Sequence, residues 1–192
     1  MARPTDPEIQ VRLRAAAIDH VLAHGMLDLS LRSLANALGT SARMLVYHFG
    51  SREGLMREIL VGLRERENAR IRTWLRQGTK PRTMAEFLRW YWKRISASEG
   101  RSAARVIFEL YALALRHPAD YPGVLGDPID YWRGLTQSIG VKSALRDAEA
   151  TLLLATMRGL LLDFCATGNR ARTSAAMELL VQSVARQNRK SG

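Results

Sequence analysis

Arg43, Met44, Tyr47 and His48 fall on one arc of a short helical stretch. At about 100° per residue from Arg43, Tyr47 lies near ~40°, Met44 near ~100° and His48 near ~140°, while Ala42, Leu45, Val46 and Phe49 lie between about 200° and 300°. Such a helix has an apolar arc to pack and a second arc of long, hydrogen-bonding or polarisable side chains to present. Each presented residue has a task in a DNA major groove. The Arg43 guanidinium matches guanine O6 and N7, or a phosphate. Tyr47 and His48 donate to phosphate oxygens, and Met44 offers apolar contact, for instance to a thymine methyl. Ser51 and Arg52 open the next helix, whose free N–H groups suit a phosphate. Arg32 stands where it would brace the opposite strand's backbone, and Ser41, the cap of the reading helix, completes the DNA-facing candidates.

These residues need elements to hold them. Ile9, Leu13, Ala17 and Val21 recur every four residues and predict a first helix ending at Gly25. Leu31, Leu34, Ala35 and Leu38 predict a second, with Ser30 as N-cap and Gly39 as its stop. Ser41 caps the third after a three-residue turn. Two short helices joined by a tight glycine turn have the form of a helix-turn-helix. Ser51 caps a long fourth helix, Arg52 to about Gln77, through Leu55, Ile59, Leu63, Ile71 and Trp74. Gly78 to Pro81 breaks the pattern, and further helices are predicted near 83–98, 102–116, 128–139, 146–167 and 173–187. Asp127 with Pro128 reads as a cap followed by a first-turn proline. Nothing alternates with period two and no internal repeat is visible. The expected architecture is all-α with about nine helices: a three-helix head over 1–50, a connecting helix over 51–78 and a helical body over 79–192.

The totals bound the partners. The 192 residues are 47% apolar, enough for a real core and too many for a largely disordered chain. The net charge of +11 favours a polyanion. Its distribution tempers that, since residues 1–60 hold seven Lys/Arg against six Asp/Glu, and 61–100 hold ten against four. The local pattern of the third helix therefore carries the case for DNA, not global charge. No unbroken run of 18 apolar residues exists, so no membrane span is expected. Met1–Asp6 has no apolar stretch behind its basic residue, so no secretory signal is expected. Cys165 is the single cysteine, read as a small buried filler, and a cytoplasmic location is the simple expectation.

The run Ser30-Leu31-Arg32-Ser33-Leu34-Ala35-Asn36-Ala37-Leu38-Gly39-Thr40-Ser41, followed by Leu45-Val46-Tyr47-His48-Phe49-Gly50-Ser51-Arg52-Glu53-Gly54-Leu55, resembles the DNA-binding segment of the tetracycline-repressor (TetR) family. The resemblance covers residues of about 9–60. It departs where the family often has a small residue (here Arg43), a Thr (Met44) and a Tyr (Val46), so two phosphate-contacting hydroxyls are missing and Arg43 is the available substitute. The resemblance implies a homodimer on a palindromic double-stranded operator, no cofactor, and a body that binds a small-molecule effector and releases DNA. A two-fold dimer would set its two reading helices about 34–36 Å apart.

The body's residues allow both roles. Leu152-Leu153-Leu154-Ala155 and Leu160-Leu161-Leu162 make the penultimate helix apolar nearly all round, so it needs burial on more than one side. With Met177, Leu180, Val181 and Val184 on the last helix, the dimer-interface candidates are Leu152, Gly159, Met177, Leu180 and Val184; an internal core helix is the alternative. Eleven of the thirteen aromatics lie beyond residue 73 and suit an apolar pocket. The ligand-binding candidates are Phe87, Tyr91, Phe108, Glu109, Trp132 and Met157. Glu109 and Asp163 are open to two readings, ligand anchors or partners of nearby arginines such as Arg105 and Arg158.

No HExxH, CxxC, GxSxG, P-loop or GxGxxG arrangement occurs, so no enzyme is expected. His20 and His24 have a metal-compatible i, i+4 spacing but no evident third ligand, and no metal is expected. A DNA-binding protein without a ligand, and an activator of the same fold, remain the alternatives to a ligand-released repressor.

Overall fold

The computed structural model describes residues 7–26, 29–77, 80–121, 128–138, 140–141 and 146–190. Gly78, the Asp127 cap and the chain start Met1–Asp6 lie outside them. Among the described residues there are nine helices and no strand: α1 (Pro7–His24), α2 (Leu31–Ala37), α3 (Ala42–Phe49), α4 (Arg52–Gln77), α5 (Met84–Ile95), α6 (Ser98–Arg116), α7 (Pro128–Ser138), α8 (Asp147–Thr167) and α9 (Arg170–Lys190).

The helix ends are set by the residues that the sequence offers for them. Ser30 and Ser33 form a reciprocal capping box, Ser30 Oγ accepting from Ser33 N at 3.0 Å and Ser33 Oγ from Ser30 N at 3.1 Å. Ser41 Oγ accepts from Met44 N at 3.2 Å, Ser51 Oγ from Gly54 N at 3.0 Å and Thr83 Oγ1 from Glu86 N at 3.2 Å. Gly25, at φ +86°, follows α1 in a left-handed conformation that an L side chain rarely adopts.

Two compact units result, and they do not follow the chain in order. The first takes Met1–Arg72 with Arg105–Gly126, the second Thr73–Ala104 with Asp127–Gly192. In the first, Ala17, Val21, Leu34, Leu45, Leu55 and Ile59 are buried together, and Val106, Leu110 and Ala114 of α6 belong to the same core. The head is thus completed by residues more than fifty positions beyond its reading helix. In the second, α5 and α8 both pack on α9, and α7 packs on α8. By length and composition alone α8 is apolar enough to cross a membrane, although it contains no unbroken run of 18 apolar residues. Thr156, Arg158 and Asp163 interrupt its apolar residues without lowering its mean hydropathy below 1.4, and Leu153, Leu154, Met157 and Phe164 are buried inside the unit.

Two glycines fix how closely helices approach in the first unit. A Cβ on Gly54 would lie 2.1 Å from the backbone oxygen of Phe49, and one on Gly62 would lie 2.3 Å from Ile18 Cδ1. Helix propensity favours alanine over glycine by roughly 1 kcal/mol. At Gly54 the obstacle is backbone and overlap wins, so Gly54→Ala is expected to lose about 1–3 kcal/mol in urea unfolding. At Gly62 the obstacle is a flexible side-chain tip, and Gly62→Ala is expected to lose less.

On α4, burial pushes the Glu67 carboxyl above its usual range, with Arg70 pulling the other way. Its Oε1 is buried without a hydrogen-bond partner. The folded state therefore binds the Glu67 proton more tightly than the unfolded state does, and wild-type stability falls as pH rises past the unfolded carboxyl value. Glu67→Gln should raise the melting temperature at neutral pH, and the gain should vanish below about pH 4, where both states are protonated. An equal gain at every pH would contradict that origin.

Candidate functional site

The third helix presents a different arc from the one its wheel predicts. Leu45, His48 and Phe49 are buried, while Arg43, Met44, Val46 and Tyr47 are exposed. Val46, expected inside, is 41% exposed, and His48, expected to meet phosphate, is only 7% exposed. The two stand on opposite flanks of the apolar arc, so a rotation of about 50° in the packing direction exchanges them. The rotation has visible anchors. Gln10 Nε2 of α1 donates to the His48 carbonyl at 3.2 Å, and the His48 ring lies edge-on to Tyr47 at 5.1 Å and tilted against Phe49 at 6.4 Å. Neither His48 ring nitrogen has a hydrogen-bond partner. The missed signal was size: among the residues flanking Leu45, a planar ring fills more of the head core than valine.

Of the remaining DNA-facing candidates, Arg32, Ser41, Arg43, Met44 and Tyr47 are on the surface of this unit, and Ser51 is half-buried as the cap of α4. Arg52 is a correction. Its guanidinium turns inward, donating to the Leu29 carbonyl through Nε at 3.4 Å and Nη2 at 3.3 Å, and through Nη1 to the Tyr121 hydroxyl at 3.3 Å. An arginine with all three nitrogens engaged, on two partners, braces the head and has little left for a phosphate. The exposed reading face consequently carries one cation on α3, Arg43, beside apolar Met44 and Val46 and the phenol of Tyr47.

Glu109, expected among the ligand contacts, belongs to this head unit. Its Oε2 accepts the N–H of Met26 at 2.5 Å, and a Cβ on Gly25 would sit 3.1 Å from its Oε1. Arg105, 3.8 Å from Glu109, donates through Nη2 to the Leu22 and Ala23 carbonyls at 3.3 and 3.5 Å. The pair satisfies both kinds of free backbone group at the end of α1: carbonyls by the arginine, an N–H by the carboxylate. Phe108 is in the same unit and half-buried.

In the second unit Phe87, Tyr91 and Trp132 do come together. The Phe87 and Tyr91 rings stack at 5.6 Å, and Trp132 stands edge-on to both, at 5.6 and 5.4 Å. Phe87 and Tyr91 are themselves buried, and of the three only Trp132 lines a cleft between α5, α7 and α8. Met157 is 3% exposed and lies in the core, outside that cleft. Asp163 pairs with Arg172 at 2.6 Å, a partner on α9 that nearness in sequence to Arg158 does not suggest. The Cys165 thiol points at the Arg101 carbonyl, 3.8 Å away. His24 Nδ1 is 3.0 Å from the His20 carbonyl and the two rings stack, and no group of three metal-ligating residues gathers among the described residues.

The interface candidates separate by burial. Leu152, 67% exposed, and Gly159, with open space where a Cβ would be, lie on an uncovered face of α8. Leu162 and Leu179 are exposed as well. Met177 and Val184 are 2% and 6% exposed, so they have almost no surface to offer a partner, and Leu180 is half-buried. The stripe expected from the last helix faces inward because α5 and α8 already cover it.

Residues 13–59 match the family model described as bacterial regulatory proteins, tetR family. A 53-residue segment is 43% identical to the HTH-type transcriptional regulatory protein RaaS of Mycobacterium tuberculosis, covering 28% of this chain and 24% of that protein. Over 93% of this chain and 96% of the other, the fold is similar to that of a transcriptional regulator from Rhodococcus sp. Rha1, with TM-score 0.70 and 21% identity. The same coverage relates it to the multidrug binding protein EbrR solved with imidazole, with TM-score 0.67 and 24% identity.

Three substitutions separate bracing from reading. Arg52→Ala and Glu109→Ala should each lower head stability by about 1–3 kcal/mol, since each leaves buried backbone groups unsatisfied. Arg43→Ala should leave the thermal unfolding curve unchanged, being exposed and engaged with no core group. Circular dichroism melts of the three variants beside wild type check this, and an Arg52→Ala melt superimposable on wild type would return Arg52 to the surface.

Proposed function

We propose that the chain, whose residues 13–59 match the tetR family model, is a regulator of that family: a sequence-specific DNA-binding transcriptional regulator, a repressor released from a palindromic operator by a small apolar or amphipathic effector. One observation carries the reading: the eight-residue α3, capped by Ser41 and seated on buried Leu45 and Phe49, turns Arg43, Met44, Val46 and Tyr47 outward together. Arg43 supplies the bidentate donor for a guanine edge. Met44 and Val46 supply methyl contact to thymine, and Tyr47 reaches a phosphate oxygen. With one cation on the reading helix, specificity rests on shape and apolar contact more than on charge. Affinity should therefore depend on salt less steeply than in a head with several phosphate-bound lysines.

The effector belongs to the second unit, whose aromatic cluster and cleft are built from α5, α7 and α8. A ligand can release DNA only through unequal affinity for two states of the protein. A homodimer would cover Leu152, Gly159, Leu162 and Leu179, an apolar surface on α8 and α9 that is costly to leave in water. Action inside the cytoplasm follows from the same reading.

Anisotropy titration against DNA from the gene's own upstream region, at two salt concentrations, tests the head. Tight binding relative to unrelated DNA is expected, weakened about 10-fold or more by Arg43→Ala and by Tyr47→Ala, while Arg32→Ala should act equally on all sequences. Equal binding to any DNA, untouched by these substitutions, would sink the regulator reading. Sedimentation should give a dimer for wild type and a monomer for Leu152→Glu combined with Leu162→Glu, and a dimer in both would place the interface elsewhere.

A further inference from the structure

The cleft of the second unit is chemically lopsided in a way that selects its occupant. It measures about 100 Å³, between the start of α5, α7 and the first turns of α8. Its walls are Met84, Ile129, Val141, Leu153 and Leu154, with the Trp132 indole as one side. An apolar cavity of around 150 Å³ holds a benzene ring, so a cleft of this size takes no more than a single ring.

The polar edge comes from Arg133, Thr136 and Gln137 on α7. Thr136 is 5% exposed, and its hydroxyl donates back to the Trp132 and Arg133 carbonyls at 3.0 and 3.1 Å. A hydroxyl has one proton and two lone pairs. With the proton engaged within the helix, Thr136 has only acceptor capacity left for an occupant, which must then be the donor. Arg133 does not make the edge cationic, because its guanidinium is bonded to Asp147 and lies 3.9 Å from Asp130. A carboxylate placed there would meet two carboxylates for one arginine.

We infer that this cleft binds a small neutral single-ring molecule bearing one hydroxyl donor, of the phenol class, with the ring among Met84, Leu153 and Leu154 and the hydroxyl donating to Thr136 Oγ1. The inference rests on the effector reading above only for its consequence, release of DNA. Binding itself is independent of that. Trp132 also gives the occupant an optical report and a route inward, since the same ring contacts Phe87 and Tyr91.

Phenol, toluene, benzoate and benzylamine are titrated into the DNA-free protein, followed by calorimetry, thermal shift and indole emission. Phenol should bind and raise the melting temperature, toluene about 3- to 10-fold more weakly, as one hydrogen bond requires. Benzoate and benzylamine should bind more weakly than phenol. Thr136→Val, which keeps the shape and removes the acceptor, should erase the preference for phenol over toluene. Ala150 of α8 also lines the cleft, so Ala150→Phe, which fills it, should abolish binding of both, and Trp132→Phe should remove the emission change while binding persists. Toluene binding as well as phenol in wild type, tightest binding of either ion, or a phenol preference indifferent to Thr136→Val would overturn the inference. Adding phenol to the protein–DNA complex separates the two readings. Phenol bound without DNA release leaves the cleft assignment standing and the effector role refuted for it. DNA released by another compound, with phenol unbound, does the reverse.

Discussion

The head depends on how one helix end is closed. Gly25 ends α1 with a left-handed turn, and the backbone N–H of the next residue, Met26, has no partner within the helix. Glu109 supplies that partner, and its neighbour Arg105 takes the carbonyls of the last α1 turn. The residues that do this come from α6, and the same stretch contributes Val106, Leu110 and Ala114 to the core beneath α1, α2 and α3. The direction in which the chain leaves α1, and hence the seat of α2 and α3, is set by a contact spanning 83 residues. A buried N–H left alone costs about 1–3 kcal/mol, a large share of a small domain's stability.

Charge plays a smaller part at the reading face than the composition suggests. The chain carries +11, yet several arginines of the first unit are held by carboxylates or carbonyls: Arg14 by Glu58 and Glu65, Arg66 by Asp19, Arg52 by Leu29. Arg43 is left as the cation of α3, beside exposed Met44, Val46 and Tyr47. On the proposed reading such a face would discriminate by fit, because each exposed contact is short-ranged and is lost when the base edge changes.

In the second unit one apolar composition has three outcomes. Leu153, Leu154, Met157 and Phe164 of α8 form core with α9, Met177 and Val184 answer them from the other side, and Leu152, Leu162 and Leu179 remain exposed. The aromatics divide in the same way. Phe87 and Tyr91 close on each other, and Trp132 keeps one side for the cleft. A helix apolar on all faces has no preferred orientation of its own. Which face becomes core, pocket wall or open surface is decided by what packs first and most completely.

The nine helices, the caps at Ser30, Ser41 and Ser51 and the glycine stop at Gly25 were legible in the sequence, because periodicity and capping act within a few residues. So were the short third helix and the outward placing of Arg43, Met44 and Tyr47. The flanks of that helix were not. His48 and Val46 are almost equally placed on the wheel, and which ring or methyl group fills the space beside Leu45 is decided by how α3 seats on the rest of the head. Nor were the partners of Arg52, Glu109 and Asp163, which lie on other helices, or the fact that 105–126 completes the head. The sequence alone determined what each segment could do locally. The tertiary structure decided which of those capacities faces outward, since burial and long-range pairing are properties of neighbours that distance along the chain does not encode.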